Sequence, residues 1–170
     1  MNTAPGKEEF LRLIEGNKGI IFKICNSYCA NVDDREDLAQ EIIYQLWRSG
    51  NNFSAEHKFS TWMYRVALNT AISFYRKEKN KTDKLPLAEN VYEIADKDEG
   101  AGKMEENISL LQQFINELKE LDRALMILYL EDKSYKEMAD ILGITETNVA
   151  TKISRIKENL KQKFSKLNNH

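Results

Sequence analysis

Residues 134–164 carry the signals that most constrain the fold of this chain. Ser134 and Glu137 have the S-x-x-E spacing of a capping box, which begins a helix because each residue hydrogen-bonds the backbone of the other. Gly143 follows where a helix ends in a left-handed residue, and Thr145 is a candidate N-cap for a second helix. The apolar stripe of the second helix is formed, at helical spacing, by Val149, Ile153, Ile156, Leu160 and Phe164. A short helix, a glycine turn and a longer helix make a helix-turn-helix.

The polar side chains of the second helix face outward if its apolar stripe faces inward. They are Thr147, Asn148, Thr151, Lys152 and Arg155. Asparagine can read adenine edges, lysine and arginine can read guanine, and threonine can contact phosphate or a thymine methyl group. This pattern predicts a helix that enters the major groove of DNA, and the alternative is the solvated side of an ordinary helical hairpin.

The charge pattern agrees with DNA binding once it is resolved along the chain. The net charge of -2 argues by itself against a nucleic-acid binder. However, residues 56–84 contain seven basic and three acidic groups, and residues 133–170 contain eight and four. Between them, residues 85–107 contain two basic and seven acidic groups. Two basic segments are therefore separated by an acidic one.

The composition and this acidic stretch define the fold class. Only 7 glycines and 2 prolines occur in 170 residues, which favours helices over sheets. Residues 80–104 have weak apolar periodicity and an acidic run, as is typical of a linker. We expect an all-α protein with two small helical domains, 1–79 and 105–170, joined by a flexible acidic linker.

The first domain contains a predicted helix around residues 38–47, whose apolar side chains recur at helical spacing. Asp33 and Asp34 are candidates for its N-cap. Asp37 and Glu41 give the helix an acidic side, which suggests a protein partner, although an ordinary solvated surface has the same pattern.

A second basic helix is predicted from an N-cap at Ser60 or Thr61 to Lys79. Its polar side carries Arg65, Asn69 and Arg76, and Lys77 extends its basic end. The preceding loop offers Asn52 and Phe53. Aromatic and amide side chains beside a basic helix can hold unstacked single-stranded bases. The alternative is that the aromatic residues belong to the core and the charges to a solvated face.

The sequence also indicates the cellular compartment of the protein and whether it carries a catalytic or metal-binding site. No apolar run approaches the ~18 residues of a membrane span, and the start lacks the apolar core of a signal peptide, so we expect a cytoplasmic protein. Cys25 and Cys29 are expected to be small buried residues in a reducing compartment, with a metal or redox pair as the alternative. Without clustered histidines or a phosphate-cradling glycine loop, we expect no catalytic residue, no metal and no cofactor.

Three segments resemble a known family. Residues 37–47, DLAQEIIYQLW, resemble the D-L-x-Q-E-x-x-x-x-L-W signature of bacterial RNA polymerase sigma factors. Residues 59–71, FSTWMYRVALNTA, are similar to the F-x-x-W-L-x-R-I-A-x-N-x-A pattern that follows it. Residues 130–144 are similar to the family's second DNA-binding region. Their order, with only an acidic linker between them, resembles the extracytoplasmic-function (ECF) group of the sigma-70 family.

The resemblance implies a role for each domain. The first would bind core RNA polymerase and recognise and melt the minus-ten element, and the second would read the minus-thirty-five element. The implied polymerase-binding residues are Asp37, Leu38, Gln40, Glu41 and Trp47. The implied minus-ten residues are Asn52, Phe53, Arg65, Asn69, Arg76 and Lys77. The implied minus-thirty-five residues are Thr147, Asn148, Thr151, Lys152 and Arg155.

The partners implied are core polymerase, promoter DNA as duplex and melted strand, and an anti-sigma factor, with no small-molecule substrate. The alternative function is a stand-alone helix-turn-helix transcriptional regulator that binds duplex without polymerase. The chain departs from the family pattern at Lys119-Glu120, where proline is frequent, and at Asp132-Lys133, where a Gly-apolar pair is common. Ala150 also stands where a cation is frequent in the recognition helix.

Overall fold

A computed structural model of the protein describes residues 6–50, 53, 58–82 and 103–168. Within these residues every regular element is a helix, which agrees with the predicted all-α class. The helices are α1 (Lys7–Gly16), α2 (Lys18–Tyr28), α3 (Val32–Ser49), α4 (Phe59–Thr82), α5 (Lys103–Asn116), α6 (Glu120–Leu130), α7 (Tyr135–Leu142) and α8 (Glu146–Asn168).

The chain divides into two compact units, residues 1–90 and 91–170. The division falls inside the predicted linker 80–104, of which residues 83–102 lie outside the described part of the chain. At the two ends of the predicted linker the chain is helical, because α4 continues to Thr82 and α5 begins at Lys103.

The core of the first unit is built where α3 packs against α2 and α4. Leu38, Ile42 and Leu46 recur every four residues on α3 and are 0% exposed. Met63 and Leu68 of α4 are also fully buried. Burial of one such side chain stabilises the fold by about 2 kcal/mol, so this stripe fixes how α3 is rotated about its axis. The polar residues of α3 are thereby held at the surface.

The start of α3 differs from the prediction. Asn31 is the N-cap, and its Oδ1 accepts a hydrogen bond from the Asp34 backbone N–H at 2.7 Å. The predicted caps Asp33 and Asp34 are wrong because both residues already lie in the first turn. Their carboxylates favour the helix there through its dipole. The helix ends at Ser49.

The start of α4 also lies earlier than predicted. The helix begins at Phe59, and the Trp62 backbone N–H donates to the carbonyl oxygen of Lys58 at 3.2 Å. Ser60 and Thr61 are therefore helical residues of the first turn, and the prediction that one of them is the N-cap is wrong.

The second unit contains the predicted helix-turn-helix, with each local signal in its expected role. The Glu137 backbone N–H donates to Ser134 Oγ at 3.1 Å, and the Ser134 N–H donates to Glu137 Oε1 at 3.4 Å. Gly143 ends α7 in the left-handed conformation, with φ 70° and ψ 33°. Thr145 Oγ1 accepts from the Asn148 backbone N–H at 3.1 Å and caps α8.

The apolar stripe of α8 is buried as predicted, except at its end. Val149 and Ile153 are 0% exposed and pack against the fully or almost fully buried Met138 and Ile141 region of α7. Phe164 is half-buried, and its ring lies 5.1 Å from the ring of Phe114 in α5, centroid to centroid. Each face of α8 is thus assigned, and its polar side points to solvent.

Candidate nucleic-acid and protein interfaces

The outward side of α8 presents the side chains predicted to read duplex DNA. Thr147, Asn148, Thr151 and Arg155 are exposed, and Lys152 is half-buried. All lie within residues 146–155, in the first half of the helix. The cap at Thr145 and the buried Val149 set both the beginning of this helix and its rotation. A rigid helix with exposed donors near its N-terminus matches the geometry of a helix that enters the major groove.

The two cations of this set lie beside a small pocket that an acidic residue also lines. Lys152 and Arg155 line a pocket of ≈ 140 Å³ together with Asp122 of α6. A carboxylate beside two cations lowers the local positive potential, which reduces nonspecific attraction to phosphate. The sequence pattern did not indicate Asp122, because it lies in a different helix.

The basic side of α8 extends beyond the recognition segment. The Lys157 ammonium lies 4.3 Å from the ring centroid of Tyr129, in cation–π geometry. A hydrogen bond with the Tyr129 side chain raises the pKa of Lys157 above its ordinary value. This contact joins α8 to the last turn of α6.

The predicted minus-ten residues on α4 lie on its exposed side. Arg65, Asn69, Arg76 and Lys77 are all exposed. The opposite side is buried, with Met63, Ala67 and Ala71 each 0% exposed. The packing of the unit therefore fixes which side of α4 is exposed, and that side carries three cations and the Asn69 amide.

The structure brings α3 and α4 residues with different predicted roles into one groove of ≈ 600 Å³, which we call the α3–α4 groove. Its α3 wall includes Asp37 and Glu41, which were predicted to bind polymerase. Its α4 wall includes Asn69 and Lys77, which were predicted to bind DNA. The remaining lining residues are Gln45, Thr70, Ser73, Phe74 and Glu78. The two predicted sites are thus adjacent on one surface of the first unit.

Within the predicted polymerase-binding set, one member differs in exposure. Leu38 is 0% exposed and holds α3 in the core, so its side chain supports the surface from beneath. Gln40 is exposed and Trp47 is 45% exposed. Ile43 and Tyr44 of α3 are also exposed, at 46% and 56%. The sequence pattern places Tyr44 on the polar side of this helix but does not indicate Ile43. The exposed side of α3 is therefore partly apolar as well as acidic.

Five rings form a cluster at one end of the first unit: Phe10, Trp47, Phe53, Phe59 and Trp62, which we call the aromatic cluster. Phe53 lies 5.3 Å from Phe59 and 5.4 Å from Trp62, centroid to centroid. This partly buried ring is the only predicted loop residue that can be placed, because Asn52 lies outside the described residues.

Cys25 and Cys29 are buried, as predicted for small core residues. They are 2% and 7% exposed, and both are free thiols. Burial raises the pKa of Cys25 to about 11 and that of Cys29 to about 12. Among the described residues, no group of His, Cys, Asp and Glu is arranged to hold a metal ion. In the same part of the chain, no helix has the length and apolar character of a membrane span.

Each of the two units matches a family model of known proteins. The family model for Sigma-70 region 2 matches residues 13–81, and that for Sigma-70, region 4 matches residues 108–160. The ECF RNA polymerase sigma factor SigW of Bacillus subtilis (strain 168) is 29% identical over 171 residues, which cover 95% of this chain and 91% of SigW. RNA polymerase sigma factor SigZ of the same organism is 30% identical over 128 residues, covering 75% and 70% of the two chains.

A solved structure shares the fold. It is the complex of the sigma factor RpoE with the anti-sigma factor NepR from Bartonella quintana. The TM-score is 0.67 at 20% sequence identity, over 92% of this chain and 94% of the other.

Proposed function

The chain belongs to the ECF group of the sigma-70 family of RNA polymerase sigma factors, and from this premise we propose which residues perform each part of its function. It is a transcription initiation factor that binds core RNA polymerase, directs it to specific promoters and helps to open the promoter. We assign polymerase binding and minus-ten recognition to residues 1–79, and minus-thirty-five recognition to residues 105–170. Residues 80–104 link the two.

The exposed side of α3 is the proposed polymerase-docking surface. Asp37, Gln40 and Glu41 offer carboxylates and an amide, and Trp47 adds a partly exposed ring. Leu38 contributes by holding this helix in the core. This surface is the single observation that favours a sigma factor over a stand-alone regulator, because a protein that only bound duplex DNA would gain nothing from an acidic and aromatic surface.

The exposed side of α4 is the proposed surface for the melted minus-ten strand. Arg65, Arg76 and Lys77 would neutralise the strand backbone, and the Asn69 amide would hydrogen-bond an unstacked base. Phe53, whose ring contacts Phe59 and Trp62 at the start of α4, is assigned to the same function. Asn52, which lies outside the described residues, keeps its proposed role in minus-ten binding. Holding bases outside the stack offsets the few kcal/mol that each flipped base costs, which is how binding energy opens the duplex.

The first half of α8 is the proposed reader of the minus-thirty-five element. Asn148, Lys152 and Arg155 would contact base edges, while Thr147 and Thr151 would contact phosphate or a thymine methyl group. Ala150 cannot contribute the cation that is frequent there in the family, so Lys152 and Arg155 carry more of the recognition.

Regulation and location complete the proposal. The likeness to RpoE, whose solved complex contains an anti-sigma factor, supports an anti-sigma factor as a partner of this chain. We assign the protein to the cytoplasm, where polymerase and promoter DNA are found. It acts by binding and carries out no bond chemistry of its own.

Binding to core polymerase tests the proposal directly. The purified chain should co-purify with core polymerase and direct run-off transcription from a subset of fragments in a genomic library. Operator binding that persists while core polymerase is not bound would instead identify a stand-alone regulator.

A further inference from the structure

The ring of Phe10 joins parts of the first unit that have different proposed roles. It is 4% exposed and lies 5.7 Å from the ring of Trp47, 6.0 Å from Phe59 and 5.9 Å from Trp62. Trp47 belongs to the proposed polymerase-docking surface of α3, whereas Phe59 and Trp62 begin α4. The contacts are tilted or edge-on, which is the arrangement that aromatic rings prefer.

The Phe10 ring also packs against Gly50, the C-cap residue of α3. A Cβ atom on Gly50 would lie 3.1 Å from the Phe10 ring carbon Cζ, so the ring occupies the space that any larger residue at position 50 would need. The Gly50 carbonyl oxygen accepts a hydrogen bond from the Phe53 backbone N–H at 3.2 Å. Phe10 therefore disfavours any residue larger than glycine at position 50, the residue whose carbonyl oxygen binds the Phe53 N–H.

Phe53 contacts two of the rings that Phe10 contacts, Phe59 and Trp62. We propose that Phe10 is a positioning residue of α1, which fixes Gly50 at the end of α3 and the rings of Phe59 and Trp62 that contact Phe53, and so prepares the first unit to receive unstacked minus-ten bases. Phe10 precedes residue 13, where the match to the region 2 family model begins. The proposal rests on the proposed role of Phe53 and α4 in minus-ten recognition.

A purely structural role would predict a different result. Phe10 and Ile14 are the buried residues of α1, at 4% and 8% exposed, and only Phe10 is a ring in the cluster. Truncation of either residue loosens α1 on the core. Loss of the Phe10 ring alone removes the constraint on Gly50 and Phe53, so the two substitutions separate positioning from stability.

The experiment compares Phe10→Leu, Phe10→Tyr, Gly50→Ala and Ile14→Ala in the full chain, at a temperature at which circular dichroism shows each variant folded. A promoter fragment recovered by run-off transcription carries 2-aminopurine in its minus-ten element, and its fluorescence reports opening by the holoenzyme. Core affinity is measured separately by titration with labelled polymerase.

Phe10→Leu and Gly50→Ala are expected to slow promoter opening about tenfold while core affinity changes by less than about threefold, since a small misplacement of a positioned group costs rate more than binding. Phe10→Tyr should also slow opening, because a hydroxyl on the ring carbon Cζ would press against Gly50. Ile14→Ala should retain wild-type opening. Equal opening defects in Ile14→Ala and Phe10→Leu, or no defect in Phe10→Leu, would overturn the positioning role. If the wild-type chain itself neither binds core polymerase nor directs transcription, the proposed function fails instead.

Discussion

Arg123 Nη2 donates a hydrogen bond to the backbone oxygen of Leu118 at 3.0 Å. The same nitrogen donates to the carbonyl oxygen of Asn116, the last residue of α5. Arg123 is only 4% exposed. Because the last carbonyl groups of a helix have no partner within it, this side chain of α6 satisfies the end of α5 and the turn after it.

Arg123→Met should lower the free energy of unfolding of the second unit by about 2–4 kcal/mol, because one buried and one partly buried backbone oxygen lose a charged donor. Hydrogen exchange of peptides from α6 measures this loss. Both tryptophans lie in the first unit. The unfolding transition measured by tryptophan fluorescence should therefore be the same as in the wild type. Arg155→Met is the matched control, and its exposed side chain should change stability by less than about 0.5 kcal/mol. Equal effects of the two substitutions would contradict the role of Arg123.

Asp132→Gly should stabilise the second unit. Asp132 has φ 60°, the left-handed region in which a side chain is strained. The Lys133 backbone N–H donates to the Leu128 oxygen at 3.1 Å, so Asp132 occupies the left-handed position of a Schellman motif at the end of α6. Glycine removes the strain and should raise the unfolding free energy by about 0.5–1 kcal/mol. Asp132→Ala is the control in thermal unfolding, and an Ala variant more stable than the Gly variant would disprove this account.

Local signals made the second unit easy to predict. Ser134, Gly143 and Thr145 act on backbone groups a few residues away, so their spacing in the sequence already defines the hydrogen bonds they make. Asp132 also acts through local backbone conformation, but its residue type does not indicate it. The family's common glycine at this position is explained by a positive φ, which the residue type alone does not reveal.

Contacts between segments were not predictable in the same way. Nothing near Phe10 in the sequence indicates that its ring meets Trp47, and Arg123 is one of many charged residues until its burial is known. The prediction of Asp33 and Asp34 as caps failed for a related reason, since Asn31 is also a capping residue type and only geometry selects among them. The residue-level DNA and polymerase contacts remain predictions.

Asn69→Ala should impair promoter opening more than binding to core polymerase. The Asn69 side chain is exposed on α4 and lines the α3–α4 groove, so its amide can bond an unstacked base without supporting the core. Loss of such a hydrogen bond should cost about 0.5–1.5 kcal/mol in binding of the melted strand. The readouts are permanganate reactivity of the minus-ten element and core affinity. Asn26→Ala, at an exposed position on α2, is the control. An equal loss in both readouts would count against base capture.

The buried thiols of Cys25 and Cys29 should make the free energy of unfolding decrease at alkaline pH. Their folded pKa values, about 11 and about 12, exceed those of unfolded cysteine, about 8.5. The unfolded chain therefore releases its thiol protons first, so this contribution is complete below pH ~8.5 and is lost as pH rises through the folded values. Urea midpoints between pH 7 and pH 10 should fall more steeply for the wild type than for a variant with both cysteines changed to alanine. Parallel curves would refute the assignment.

Lys152→Ala and Arg155→Ala test how α8 contacts the upstream element, and salt dependence tells the two kinds of contact apart. A lost bidentate contact to guanine should weaken binding by about 1–3 kcal/mol and relax specificity at one base pair. A lost phosphate contact should instead weaken binding to all DNA sequences alike, and the slope of log affinity against log salt concentration should fall in magnitude by about one. Holoenzyme binding to upstream-element variants at several salt concentrations measures both effects.

Lys166→Ala is the matched control for this pair, because Lys166 is exposed near the far end of the same helix. Its removal should leave both the base preference and the affinity for the upstream element unchanged. We expect Arg155→Ala to relax specificity, since its planar guanidinium suits bidentate recognition of guanine and Ala150 supplies no competing cation. An unchanged footprint over the upstream element in both Lys152→Ala and Arg155→Ala would remove these residues from the reading surface and restrict it to Thr147, Asn148 and Thr151.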